Sequence, residues 1–253
     1  MLMKALVCIA VLLAFTVVLA QEPARQTGVL RLRVRVRADD NAPLRGLARK
    51  RFFLIPGTLD QHRSLIDAID RQPRTSRDCY YQRLGVSQAL IDWLKQGDCE
   101  SVYCRAIEPE FVTGPKAVPE FADSFDWSRR EFGSDETGRQ WLTTNLAPNV
   151  REGYYRTRKQ ILESLLEQAG GTVYSVMTDR NGTAYFTDLQ TGTYVVSNLI
   201  PAEIGQTQAI WNCEVQVKAG DLATERPYFL SNRNERNVKC VAIEKPAPVC
   251  STD

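Results

Sequence analysis

Seven cysteines and one histidine are the residues of this chain best suited to covalent or metal chemistry. Cys8 lies inside an apolar leader, which leaves Cys79, Cys99, Cys104, Cys213, Cys240 and Cys250. A structural zinc needs four ligands brought together, usually as closely spaced pairs. Cys99 and Cys104 are separated by four residues, the lone His62 lies far upstream, and no second cysteine pair has finger or ribbon spacing. No metal or other cofactor is therefore expected, and no Cys-x-x-Cys redox pair occurs. An even cysteine count in an exported chain reads as disulfides, three if all six pair. Fifteen pairings exist on paper. Three cysteines fall mid-chain and three near the end, so full pairing requires at least one bridge between the two regions.

The inventory for catalysis is thin. His62 stands among polar neighbours with no serine or cysteine motif beside it, and nothing marks a nucleophile elbow. Asp123 with Asp126, or Glu108 with Glu110, would serve a glycosidase only inside a cleft, and solvated acids are the plainer reading. No glycine-rich phosphate loop appears. The chain reads as non-catalytic, with no catalytic residue assigned.

Two groups of side chains could bind rather than react. Arg31, Arg33, Arg35 and Arg37 occupy alternate positions, and residues 25–51 hold nine basic and two acidic side chains. Such a row is either an anion-binding face, for acidic polysaccharide, lipid headgroup or an acidic partner, or a solvated strand face paired with carboxylates on the next strand. Nucleic acid is not expected, because no aromatic residue interleaves the arginines and the chain is read as exported. The second group is aromatic. Trp93, Trp127, Trp141 and five tyrosines crowd into residues 58–171, where filling a core is their ordinary task. Phe121, Phe125 and Trp127, with Asp123 and Asp126, form the densest aromatic and acidic cluster and the candidate contact surface.

The elements that must position these residues follow from period. Lys4, the apolar run 6–19 and Val18-Leu19-Ala20 before Gln21 fit a signal peptide over residues 1–20, cleaved on export. No later stretch is long and apolar enough to span a membrane, so the exported chain is expected in the periplasm, at the cell surface or secreted. A formal net charge of +2 selects no class of partner, and 43% hydrophobic content is ample for a core. Residues 28–37 alternate Leu32, Val34 and Val36 against the arginines, which is strand logic. A second strand is expected over 48–55. From Thr58 the period becomes helical: Thr58 and Gln61 suit a capping box, Ser87 a cap for 88–96, Pro119 and Pro148 helix starts, Asp135 a cap, and Gly170-Gly171 a stop. Strand signals return at Val173. Asn181-Gly182 predicts a tight hairpin between 173–178 and 183–186. Further strands are expected at 193–198, 209–218 (with Cys213 out of step), 227–231 and 237–243.

Thr178-Asp179-x-Asn181-Gly182, followed by Phe186, Leu189 and Gly192-Thr193-Tyr194, resembles the carboxypeptidase regulatory-like domain, a transthyretin-like family often found in exported bacterial proteins. Ala42-Pro43-Leu44-Arg45-Gly46-Leu47-Ala48 resembles that family's opening turn. The resemblance implies an α+β chain: an antiparallel seven-stranded sandwich from 28–57 plus 172–243, interrupted after strand two by a helical insertion over 58–171, with a tail at 244–253. The family's sandwich is generally a binding or structural module. An exported, non-catalytic binding or scaffolding module of the cell envelope is the expectation, engaging an envelope protein, glycan or anionic surface. The alternatives are a hydrolase with its site between insertion and sandwich, or a purely structural envelope component.

Overall fold

The computed structural model describes residues 27–221, 227–232 and 239–250; the expected leader, Cys8, and the start of the last expected strand lie outside them. Two mostly antiparallel sheets face each other. In the first sheet, β1 (Thr27–Val36) is central, pairing with β2 (Arg45–Gly46) and β5 (Thr183–Gln190) antiparallel and with β9 (Tyr228–Ser231) parallel. The second sheet runs β10 (Cys240–Pro246), β8 (Thr207–Val217), β6 (Gly192–Ser197), β3 (Arg51–Pro56) and β4 (Tyr174–Met177), with β7 (Ala202–Ile204) also on β8. The inward residues of both sheets form one core, including Leu32, Val34, Phe52, Leu54, Val196 and Trp211. Two of the ten strands are only two or three residues long, and the helical block enters after β3, the second long strand.

The two sheets differ on their outer faces, and the sequence pattern follows. Strand β1 alternates buried and half-buried residues because its outer face meets solvent. Strand β3 buries Phe52, Phe53, Leu54 and Ile55 in succession, because helices cover its far side. Strand β8 corrects one expectation for the same reason. Cys213 is in step with Trp211, Val215 and Val217 in the inter-sheet core, whereas Ile210 faces outward onto the helices.

The Asn181-Gly182 turn is tight, but it does not join a hairpin. Strand β4 pairs with β3 and strand β5 with β1, so the turn carries the chain from one sheet to the other. Its geometry comes from three residues. The Asp179 carboxylate accepts from the backbone N–H of Asn181 and Thr183, both at 2.8 Å. Buried Thr178 donates its hydroxyl to the Leu47 carbonyl at 2.6 Å and accepts from the Lys50 N–H at 3.0 Å. Gly182, at φ 75°, lies directly against the Val34 carbonyl, where any Cβ would collide.

Six helices occupy the block: α1 (Arg63–Arg71), α2 (Arg77–Arg83), α3 (Gln88–Gln96), α4 (Pro119–Phe132), α5 (Asp135–Trp141) and α6 (Pro148–Ala169). Thr58 and Gln61 exchange the reciprocal bonds of a capping box, at 2.8 and 3.3 Å, one turn ahead of α1. Ser87 caps α3 through the Leu90 N–H, and Pro119 and Pro148 open α4 and α6. Ser134, not Asp135, caps α5, accepting from the Thr137 N–H at 3.1 Å. Helix α2, capped by Ser76, has a span too short for the apolar period to announce it. Tyr81, Leu90, Trp93, Leu94, Phe121 and Tyr154 fill the core of the block.

Helices α1 and α6 lay Leu65, Ile69 and Leu165 on Phe53, Ile55 and Ile210. Each such buried aliphatic side chain contributes roughly 1.5–3 kcal/mol, whereas an exposed ion pair adds about 0–1 kcal/mol. Apolar contact therefore holds the block to the sheet, and Lys50–Asp98 and Lys245–Asp70 are minor additions. All six cysteines among the described residues are paired. Cys99–Cys104 closes a short loop, Cys213–Cys240 joins β8 to β10, and Cys79–Cys250 ties helix α2 to the C-terminal tail across 171 residues.

Candidate functional site

Pleating sets every second side chain of β1 on the outer face of its sheet, roughly 6.8 Å from the next. Arg31, Arg33 and Arg35 stand there in a row, with Arg37 just beyond the strand. Among the described residues none of the four meets a carboxylate in an ion pair, so the cross-strand pairing expected of a merely solvated face is absent. Their contacts are to neutral groups. Arg35 Nη2 donates to the Leu44 carbonyl at 3.0 Å, and the backbone N–H of Arg37 donates to Asn232 Oδ1 at 3.0 Å. The Arg31 guanidinium lies 5.9 Å from the ring centroid of Tyr185. The Nε atoms of Arg31 and Arg33 are buried without a hydrogen-bond partner, so these side chains lie along the sheet with only their outer guanidinium atoms reaching water.

Neighbouring strands bring aromatic rings to the arginines. Tyr185 on β5 is the direct partner of Arg31, and Phe229 on β9 is the direct partner of Arg33. Both stay exposed, at 45% and 40%. The absence of interleaved aromatics, read along one strand, thus does not hold across the sheet. A reading of sequence alone misses this because both rings come from segments far down the chain. Two of the other basic residues counted with the row leave it. Lys50 pairs with Asp98 at 2.8 Å, and Arg51 starts a strand of the opposite sheet, its Nη1 donating to Ser175 Oγ.

The candidate contact surface on α4 needs correction. Phe121 and Phe125 are 0% and 2% exposed, one helical turn apart on the face that enters the core, where Phe121 stands edge-on to Trp93 at 5.0 Å. Only Trp127 of the three reaches solvent, at 44%. It joins an aromatic trio the sequence does not mark, with Phe132 6.4 Å away and Trp141 a further 5.9 Å on. A cleft of about 420 Å³ opens in the block between the Cys99–Cys104 loop and α5, lined among others by Tyr103, Arg105, Glu136 and Arg139. Arg105 is stacked on Trp93 at 4.2 Å.

Part of the junction between helices and sheet is polar, and its groups are engaged. Arg158 Nε contacts Glu100 at 3.3 Å, and its Nη1 donates to the Tyr154 hydroxyl, which reaches Glu203 at 3.4 Å. Burial pushes the Tyr154 hydroxyl pKa up, against the opposing pull of Arg158. Burial acts to lower the Arg158 pKa, but Glu100 and Tyr154 outweigh it and hold the guanidinium charged. Glu214 accepts from the Leu59 N–H at 3.1 Å and from Lys239 at 3.0 Å, which together hold its carboxyl below the ordinary range. His62 Nε2 is 2.7 Å from the Pro56 carbonyl, at the start of α1. Glu110 pairs with Lys116, and Asp126 with Arg129, at the exposed surface. Among the described residues no cluster of three or more His, Cys, Asp or Glu could hold a metal, and no helix is long and apolar enough to cross a membrane.

These features define an α+β protein: a mostly antiparallel β-sandwich carrying a helical block on one outer face and an arginine row on the other. No protein-family model matches the chain, and the search of curated proteins returns no match. Among solved structures it is similar to the full-length major pilin RrgB from Streptococcus pneumoniae, at 11% identity and a TM-score of 0.23, over 76% of this chain and 26% of that one. A second structure, the pilus backbone RrgB from the same organism, gives 11% identity and a TM-score of 0.22, over 76% and 35% of the two chains. The chain thus spans about a quarter to a third of the length of the pilins it matches.

Proposed function

We propose that this protein is an exported, non-catalytic binding module of the cell envelope, and that its ligand-bearing surface is the arginine row of β1. One observation carries this reading: four arginines line the open face of the sandwich with no carboxylate to neutralise them among the described residues. Uncompensated like charge on a fixed lattice is costly unless an anion answers it, and the resulting field draws such anions in. Three disulfides support an oxidising compartment and, with the leader over residues 1–20, export. The sandwich, 28–57 plus 172–243, is assigned to the carboxypeptidase regulatory-like family. The stitching by Thr178, Asp179 and Gly182 gives a physical reason for that family's sequence pattern. Residues 58–171 form an inserted helical subdomain that buttresses the opposite sheet.

The test is retention of the native protein on a sulfonate resin. Replacing Arg33 and Arg35 with Glu should sharply lower the salt needed for elution. The same charge change at exposed Arg83 and Arg130 should leave elution nearly where it was, with circular dichroism verifying the fold of both. Equal effects from the two pairs would reduce the row to its share of net charge and remove the reading.

A further inference from the structure

We infer that the arginine face takes a linear acidic polysaccharide, laid along β1 with sugar rings against Tyr185 and Phe229 and carboxylates on the arginines; this rests on the binding role proposed above. Arginine holds a carboxylate through two parallel N–H bonds, and the outward arginines repeat at roughly 6.8 Å in a straight line. That geometry suits a ligand whose charge also recurs along its length, rather than a single compact anion. The aromatic rings narrow the class further. Tyr185 and Phe229 sit on opposite sides of β1, roughly 10 Å apart across the strands. Each keeps nearly half its surface in water, without a described element packed over it. An aromatic ring offers a rigid apolar plane at small entropic cost, which suits the C–H face of a sugar. An anionic lipid surface would use the charges and gain little from two separated rings.

Single-stranded nucleic acid also combines repeated charge with stacking groups. The three disulfides favour the sugar polymer, because they belong to compartments where envelope polysaccharide, not nucleic acid, is the abundant polyanion. The neighbouring contacts fit the same occupant. Arg31 beside the Tyr185 ring presents a carboxylate donor and a stacking plane together, and no acidic side chain interrupts the row.

The experiment measures affinity by titration calorimetry at fixed low salt, with an oligogalacturonate of about eight residues as probe. The comparison ligands are a neutral glucose oligomer of equal length, oligo-dT, and phosphatidylglycerol vesicles. The oligogalacturonate should bind, and the neutral oligomer should not. The double variant Y185A/F229A should weaken oligogalacturonate binding by tenfold or more while leaving elution from the sulfonate resin unchanged. The R33E/R35E variant should lose both. Unchanged oligogalacturonate affinity in Y185A/F229A, with loss in R33E/R35E, would keep the anion-binding role and overturn the polysaccharide assignment. Tighter binding of oligo-dT or of vesicles than of the uronate would overturn it too. Failure of the native protein to depend on the arginines on the resin would instead remove the role beneath it.

Discussion

Gly182 shows how much one residue can decide. It turns the chain at φ 75° and at the same point touches the Val34 carbonyl, in the strand that carries the arginines. A methyl group there meets two penalties, a left-handed backbone and a collision with rigid main chain. Gly182→Ala is expected to cost at least about 2–3 kcal/mol, read as a lowered urea midpoint. Gly85 is the control. Its φ of 69° imposes the same backbone strain, but a Cβ there meets nothing within 4 Å, so Gly85→Ala should cost only about 1 kcal/mol. Equal losses at the two sites would mean that the contact with Val34 is relieved at no cost.

At the scale of elements, Glu120 couples the starts of two helices. It stands in the first turn of α4, where a carboxylate is favoured by the helix dipole, and it accepts from both the N–H and the hydroxyl of Ser87, each at 2.6 Å. Ser87 in turn caps α3. The two helices that bury Trp93 against Phe121 are thus set at their ends by one side chain. Glu120→Ala is expected to destabilise by about 1–3 kcal/mol, the range for hydrogen bonds to a charged group. Ser87→Ala alone should cost about 1 kcal/mol, and the double variant less than the sum, because both changes remove the bond between the Ser87 hydroxyl and Glu120. Additive losses in a denaturant series would show that the cap and the carboxylate act independently.

At the scale of the molecule, the sandwich and the helical block are one packed body, closed by the Cys79–Cys250 bridge. Replacing both cysteines with alanine removes a constraint on a loop of 171 residues and is expected to cost about 2–4 kcal/mol, seen as a lowered urea midpoint; an unchanged midpoint would leave apolar contact as the whole of the attachment. Local patterns were readable along the chain: the alternation of β1, the Ser87 cap, the proline starts of α4 and α6, and the capping box of Thr58 and Gln61. Short-range sterics and hydrogen bonds set these, so the neighbouring residues contain the answer. The six cysteines left once Cys8 is set aside likewise implied three bridges, at least one of them joining the middle of the chain to its end. Tertiary structure alone decided which cysteines meet and that the Asn181-Gly182 turn passes between sheets. It also set Phe121 and Phe125 inside while Trp127 stays out, and placed Tyr185 and Phe229 beside the arginines. Those outcomes depend on which apolar faces are covered by segments remote in sequence, and burial of that kind leaves no local period to read.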